Sequence, residues 1–475
     1  MSPQAMATTL AFVVALLATP VVARKPAGGE GFLGVGRRHG ASLRSSDADF
    51  RAAMGVVMGC GGDASDRLSA VEQALEPMWR VLPKNQHGLV EWTMVRYLAH
   101  RYFMQRSSLL VRGFEPMRQV NASHLGAAEI LHEKVPAVVD GVLAGKRSSS
   151  GFSLEEAAAM VATLEQLAWD AEGTLLEAVY AQQRKSTKEL LSHAELSQVL
   201  EAYMVHWMID DDQTIQVLLQ NRSLLEMALP KWADIRSFLE GILRSMEFAQ
   251  RRSPTPGRAR VAMAGDFSFG DAHEAAGRIT GSFASFWEGE CQLIKESLVA
   301  MDRTGSGRVS LSDFYGANAD GEWRFGESEA YLRELGALDE SSAWRGKQVI
   351  IPNYMQGASN CIVATPHYLV CCVSECEAVL NEVEDAVGGP VATPEEILPL
   401  VRNMSGFDDE PPKIDAGLRS QLFRIAETHG GSVPIHGRLF AQWLHYVFPR
   451  ECPFPHKSGM ASALTPGQFG DGSIA

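Results

Sequence analysis

The sequence predicts a mainly α-helical protein, and three features of its 475 residues lead to this prediction. Apolar residues recur every three or four positions through long stretches, which is the spacing of one face of a helix. Capping signals of the form Ser/Thr-x-x-Glu precede several of these stretches. Short runs with strand character are few, as at 349–351 and 368–370. We therefore expect a helical N-terminal domain, a single helix–loop–helix unit, and a cysteine-rich α-helical C-terminal region with at most a few short strands.

The first 62 residues have the composition of a leader followed by an unstructured arm. A short apolar core at 10–19 is followed by small residues, so residues 1–23 are predicted to be a signal peptide. Residues 24–62 are predicted to be a disordered basic arm rich in Gly and Ser. This arrangement indicates a protein that is secreted or held in the lumen of the secretory pathway. The acid-poor, Arg- and Ser-containing arm also fits a bipartite leader to a plastid.

The remaining chain divides by composition into five segments. In the first, Ser153 and Glu156 have capping-box spacing and precede an apolar stripe from Leu154 to Val179. The pair Ser186 and Glu189 predicts a further helix start in the same way. The expected segments are an all-α domain at 63–250, a linker at 251–262, a helix–loop–helix region at 263–345, a cysteine-rich helical domain at 346–452 and a flexible tail at 453–475.

A twelve-residue stretch, 302–313, has the ligand spacing of a calcium loop. Oxygen-bearing groups stand at positions one, three, five, seven (a backbone carbonyl), nine and twelve, which makes the candidate ligands Asp302, Thr304, Ser306, Arg308, Ser310 and Asp313. Gly307 is at the sixth position, where the backbone turns too sharply for a Cβ, and Val309 is at the eighth. Because a hard cation needs six to eight oxygen ligands, this spacing predicts one EF-hand.

The composition of this loop predicts weak binding. Only Asp302 and Asp313 are acidic, whereas the usual motif has more carboxylates and a glutamate at position twelve. We expect Ca²⁺ to bind with a dissociation constant on the order of 10⁻⁴ to 10⁻³ M, with Mg²⁺ as an alternative ion, and to act as a brace and not as a switch. The other interpretation is an EF-hand fold that holds no metal. No second loop is expected, because the stretch at 318–329 has Trp323 where glycine is needed.

The cysteines and the sequons agree with an oxidising compartment. No Cys-x-x-Cys pair with zinc spacing occurs, and cysteines clustered behind a signal peptide favour disulfide bonds. Six cysteines allow fifteen pairings, and spacing does not choose among them. The candidates for disulfides are Cys291, Cys361, Cys371, Cys372, Cys376 and Cys452, with Cys60 left over. The candidates for glycosylation are Asn121, Asn221 and Asn403.

Charge and motif content narrow the function classes. The formal net charge of −14 argues against general nucleic-acid binding, which needs a basic face. No apolar run is long enough for an integral membrane span. No nucleophile elbow, P-loop or dinucleotide fingerprint is present. We therefore expect a structural or interaction role, with the calcium ion and a protein as partners. The alternative is an enzyme whose site lies in the C-terminal half near Cys371, His436 or Arg438.

Several stretches resemble a family of EF-hand-domain-containing proteins from dinoflagellate algae. They extend over most of the chain after the leader, and the resemblance implies a shared architecture and no catalytic residue. The stretches are LPKN at 82–85, HRYF at 100–103, YLRELGALD at 331–339, IIPNY at 350–354, VCCVSECE at 370–377 and PIHGRLFAQWLH at 434–445.

Overall fold

The computed structural model describes most of the chain after the predicted leader. The described residues are 62–115, 151–209, 211–252, 266–317, 325–406, 411–457, 459–470 and 472–475. Several predictions fall outside them: the signal peptide, nearly all of the basic arm, Cys60, the sequon at Asn121 and most of the linker at 251–262.

Helices dominate the described residues, which confirms the mainly α prediction. The first group runs from α1 to α8: α1 (Gly62–Val81), α2 (Trp92–Ser107), α3 (Leu154–Gln182), α4 (His193–Met208), α5 (Asp212–Gln220), α6 (Arg222–Ala228), α7 (Trp232–Arg252) and α8 (Phe269–Met301). The second group runs from α9 to α16: α9 (Leu311–Gly316), α10 (Glu329–Glu334), α11 (Ile351–Met355), α12 (Glu375–Val387), α13 (Pro394–Arg402), α14 (Ala416–Thr428), α15 (Arg438–Val447) and α16 (Pro466–Phe469).

The strands in the described residues are only two or three residues long. They are β1 (Leu109–Val111), β2 (Leu191–Ser192), β3 (Asp266–Phe267), β4 (Arg308–Ser310), β5 (Leu338–Asp339), β6 (Gln348–Ile350), β7 (Val363–Ala364), β8 (Tyr368–Val370), β9 (Val391–Ala392) and β10 (Val433–Pro434). They form small antiparallel sheets in the orders β1-β8-β7, β4-β6-β5, β2-β3 and β9-β10. Such short ladders fix the positions of loops and contribute little core of their own.

Local capping explains where the helices begin. Helix α3 starts after a capping box between Ser153 and Glu156, as predicted. The predicted start at Ser186 is wrong, because α4 begins at His193. There Ser192 accepts a hydrogen bond from the backbone N–H of Glu195, and the Glu195 carboxylate accepts one from Ser192. The chain before Ser192 is extended because β2 pairs with β3, so the helix cannot start earlier.

Four antiparallel backbone pairings each connect two segments that precede helices, and the paired residues have similar positions in all of them. In every pairing two apolar residues lie opposite each other and are buried. In seven of the eight loops the helix begins two residues after the paired residue, and after Val433 it begins later. The four pairings are Val90 with Phe152, Leu191 with Phe267, Val309 with Val349 and Ala392 with Val433.

Two apolar cores lie behind these helices. The larger takes residues from Val71 to Cys372 and so includes parts of three segments that composition separates. The smaller is formed by residues between Val379 and Cys452, with Val81 of α1 added. Strand β1 pairs with β8, which joins the N-terminal helices to the C-terminal half. Among the described helices, none is both long enough and apolar enough to cross a bilayer.

Three disulfide bonds tie the C-terminal half together. They join Cys291 to Cys372, Cys361 to Cys371 and Cys376 to Cys452, so all six candidate cysteines are paired. The adjacent residues Cys371 and Cys372 bond to different partners, one within a local loop and the other on α8. The prediction of disulfide bonds is thereby confirmed, and the bonds are compatible with an oxidising compartment.

The C-terminal residues, which composition assigns to a flexible tail at 453–475, are packed against the protein. Glu327 forms an antiparallel bridge with Ile474, and the backbone N–H of Ala475 donates to the Gly326 carbonyl at 2.8 Å. The Tyr331 hydroxyl donates to the carbonyl of Leu464 at 2.7 Å. The amino-acid composition of a segment that contains Gly and Ser does not predict hydrogen bonds of this kind.

Candidate metal loop at residues 302–313

The loop at 302–313 connects α8 to α9 through β4. Helix α8 ends at Met301, and Asp302 follows as its C-terminal cap. Gly305 and Gly307 have φ angles of +66° and +70°, in the left-handed region that favours glycine. The backbone at the sixth position therefore favours glycine. Strand β4 then pairs with β6, which places Val309 opposite Val349.

The strand pairing gives this loop a partner that the ligand pattern does not predict. The partner segment continues from β6 directly into α11, as β4 continues into α9. Its loop has Ser342 at the position equivalent to Asp302 and Lys347 at the position equivalent to Gly307. A search for carboxylates and glycine therefore does not detect this segment, although its strand and its helix begin at the same positions as those of the 302–313 loop.

The Asp302 carboxylate is completely engaged by the protein. Its Oδ1 accepts a hydrogen bond from the backbone N–H of Ser306 at 3.1 Å and lies 3.3 Å from Thr304 Oγ1. Its Oδ2 accepts from the backbone N–H of Gly307 at 2.8 Å and from Arg450 Nε at 3.3 Å. A carboxylate has about four lone-pair sites, so these four contacts use its capacity. The side chain is buried beneath them.

The other side-chain ligand candidates are also bonded within the protein. Thr304 Oγ1 lies 2.8 Å from Ser306 Oγ. Ser310 is the N-cap of α9: its Oγ accepts from the backbone N–H of Asp313 at 3.1 Å and donates to Asp313 Oδ2 at 2.8 Å. The other Asp313 oxygen lies 3.9 Å from the exposed guanidinium of Arg303. The two carboxylates thus each face an arginine.

The Arg308 side chain links the loop to the C-terminal half. It forms an ion pair with Asp339 at 2.8 Å and donates to the Ser306 carbonyl and to His445 Nε2, both at 3.1 Å. Because arginine only donates, Nε2 of His445 accepts, and its Nδ1–H donates to the Cys452 carbonyl at 2.7 Å. Burial lowers the pKa of His445 to about 4, so the ring is neutral near pH 7.

A tight turn at 448–452 covers the loop. The backbone N–H of Cys452 donates to the Phe448 carbonyl at 2.9 Å, and the disulfide to Cys376 ties the turn to α12. A Cβ added to Gly307 would lie 1.8 Å from the carbonyl oxygen of Pro449. The turn therefore rests directly on the backbone of the loop.

In this arrangement few side-chain oxygens of the loop are free to bind a divalent cation. Calcium needs six to eight free oxygen ligands, but the side-chain oxygens of this loop are used by one another, by backbone N–H groups and by Arg450. Over the described part of the chain, no group of three His, Cys, Asp or Glu side chains converges on a point. A guanidinium at Asp302 would also repel a cation. The calcium and magnesium assignments therefore stay predictions.

Of the residues considered for an enzyme site, His436 and Cys371 are held in structural contacts, whereas Arg438 is an exposed residue at the start of α15. His436 Nε2 lies 2.8 Å from Glu384 Oε1, and Glu384 also contacts Arg101 of α2. Arg101 Nε lies 2.7 Å from Glu377, so these charges form a buried cluster between α2 and α12. Cys371 is in a disulfide. Paired buried charges of this kind position helices against each other.

A buried carboxyl that the sequence does not single out lies between α3 and the β8 strand. Tyr368 Oη donates to Glu172 Oε1 at 3.2 Å and accepts from Trp207 Nε1 at 3.0 Å. Burial raises the pKa of Glu172 to about 7. Glu172 is buried, and its hydrogen bond to Tyr368 links α3 to β8, so we assign it to packing.

The two sequons on described residues are exposed and serve helix ends. Asn221 caps α6 by accepting from the backbone N–H of Leu224 at 3.2 Å. Asn403 is the C-cap of α13. Both positions are accessible, and glycosylation at them stays a prediction.

Comparison of the chain with protein-family models, with curated proteins and with solved structures finds no significant match. The similarity to dinoflagellate EF-hand proteins therefore stays a prediction from the sequence. The function is argued below from the contacts of the described residues.

Proposed function

We propose that this chain is a structural protein of an oxidising compartment, built from EF-hand-like units that pair through short strands. The repeated pairing carries the proposal: eight buried residues lie in four antiparallel pairs, and a helix begins two residues after seven of them. In an EF-hand the eighth loop residue is apolar and the exiting helix begins two residues later. The arrangement repeated here has the same order.

The loops keep the packing of such units and lack most of the ligands. Counting back seven residues from a paired residue gives the position of the first ligand, which is Asp302 before Val309. Asp385 also falls at this position, but it lies inside α12. At the other described segments the residues are Pro83, Arg184, Ser342 and Ala426, and Ala426 lies inside α14. Units that retain strand pairing without carboxylates support a structural role over a sensing one.

Covalent ties support the same role. The disulfides connect α8 to the segment before α12, and α12 to the turn over the 302–313 loop. A helix tethered in this way cannot swing as the helices of sensor EF-hands do. Three bonds in one half of the chain favour a secreted or luminal location.

Weak calcium binding by the 302–313 loop is the second candidate. The buried Asp302 at the first position and the left-handed Gly307 at the sixth favour it. Calcium at ten times its dissociation constant would add about 1.4 kcal/mol of stability, or a few degrees in melting temperature.

Thermal unfolding of the oxidised full chain separates the two candidates. The structural proposal predicts the same melting temperature with millimolar calcium and with EDTA, and a lower one after disulfide reduction. An increase of a few degrees with calcium that EDTA reverses would favour the second candidate. Asp302→Asn is the matched control, because that increase should disappear in this variant if the ion binds at this loop.

A further inference from the structure

The turn at 448–452 places a positive side chain against the carboxylate that the EF-hand pattern assigns as first ligand. Arg450 Nε lies 3.3 Å from Asp302 Oδ2, and the two side chains are 19% and 0% exposed. A buried carboxylate is unfavourable without a compensating charge. Arg450 provides this charge from a position 148 residues further along the chain.

Independent contacts hold the turn in this position. The Pro449 carbonyl rests on Gly307, where a Cβ would not fit. Cys452 is bonded to Cys376, and its carbonyl accepts from His445. The guanidinium is therefore presented to the loop by a constrained backbone and is not a long side chain that happens to reach an exposed acid.

We propose that Arg450 is a tethered cation that occupies the 302–313 loop in place of a divalent ion. The proposal rests on the assignment of this loop as EF-hand-like. A tethered cation is present at any calcium concentration, so it stabilises the loop without an ion from solution. Calcium could bind only when the guanidinium has left, and its apparent affinity falls by the fraction of molecules in that state.

The test compares Arg450→Gln with Arg303→Gln in the oxidised full chain, using calcium itself as the probe. Arg303 is the matched control, because it is an exposed arginine of the same loop and lies 3.9 Å from Asp313. Calorimetry and thermal unfolding should show that Arg450→Gln melts lower without calcium and is restored by it. Its apparent affinity for calcium should exceed that of the wild type and of Arg303→Gln by about tenfold or more.

A second substitution shows whether the gain uses the proposed site. Adding Asp302→Asn to Arg450→Gln should abolish the calcium effect, and Arg450→Lys should behave as the wild type does. If Arg450→Gln does not fold in EDTA, calcium should refold it. Equal calcium responses of the wild type and Arg450→Gln, or an unfolded variant that calcium does not rescue, would overturn the proposal.

The outcomes also separate this inference from the structural role. One outcome is that the wild type binds calcium and that Arg450→Gln binds it about tenfold more tightly. This outcome would contradict the prediction that calcium leaves the melting temperature of the wild type unchanged, and it would support the tethered cation. The absence of any calcium response in both proteins would overturn the tethered cation and leave the structural role standing.

Discussion

Two glycines of the same loop allow the contact with the covering turn to be measured. Gly305 and Gly307 have nearly equal φ angles, +66° and +70°, so an alanine meets the same backbone strain at either position. A Cβ at Gly305 has no atom within 4 Å, whereas at Gly307 it would lie 1.8 Å from the Pro449 oxygen and 2.4 Å from its carbonyl carbon. The difference between the two variants therefore isolates one backbone contact.

The expected loss of folding stability has two contributions, the backbone strain of alanine and its overlap with Pro449. Alanine in the left-handed region costs about 1–2 kcal/mol, which is the whole expected loss for Gly305→Ala. Forcing Pro449 away from Gly307 adds about 1–3 kcal/mol, as overpacking does elsewhere. Gly307→Ala is therefore expected to lose about 2–5 kcal/mol in total.

Urea unfolding followed by far-UV circular dichroism measures both losses. The midpoints of the two variants and the wild type are compared at a common slope, so the ratio of the shifts does not depend on a long extrapolation. Equal losses for Gly305→Ala and Gly307→Ala would refute the reasoning, since they would mean that the turn does not rest on the loop in solution.

The remaining predictions concern the disulfides and a buried carboxyl. Replacing Cys376 and Cys452 by alanine opens a loop with a sequence separation of 76 and should cost about 4.5 kcal/mol in urea unfolding, against about 2.7 kcal/mol for Cys361 and Cys371 with a separation of 10; the reverse order would contradict the chain-entropy argument. Non-reducing mass spectrometry of protein from a secretory host should find three disulfides, and four or more free thiols among the six cysteines would contradict the oxidising compartment. The raised pKa of Glu172, about 7 in the native state against 4.5, means that the native state keeps a proton that the unfolded state releases, so stability falls as pH rises from 4.5 to 7. Glu172→Gln should remove a fall on the order of 3 kcal/mol, and a free-energy difference from the wild type that is the same at pH 5 and pH 8 would contradict this.

The sequence predicts the helices well because their signals are local. The capping box at Ser153 is contained within a few residues and starts α3 as predicted, and the signal at Thr393, where a proline begins α13, is equally local. The Ser186 signal fails because the pairing of β2 with β3, between Leu191 and Phe267, keeps the chain extended beyond it. Contacts between distant segments are what the local pattern does not contain.

The repeated strand-paired units are a second feature that the sequence analysis did not predict. Calcium-loop patterns depend on ligand residues, and most of these units lack them. What persists is an apolar residue followed by Ser or Thr and, three residues later, by an acid. This shorter pattern occurs at 152–156, 191–195, 267–271, 309–313 and 392–396, and a search for it could have found the units. Arg450 carries no such signal, because its role depends on a contact 148 residues away.

The pairing of β1 with β8 has a consequence for synthesis on the ribosome. Leu109 pairs with Val370, so β1 has no partner strand until β8 is synthesised, roughly 260 residues later. At about 5–20 residues per second, the wait is roughly 13 to 50 s. During that time an apolar strand edge is available to other chains, which is a template for aggregation. Folding helpers that shield nascent chains should therefore matter more for this protein than its helical content suggests, because its N-terminal helices are completed by its C-terminal half.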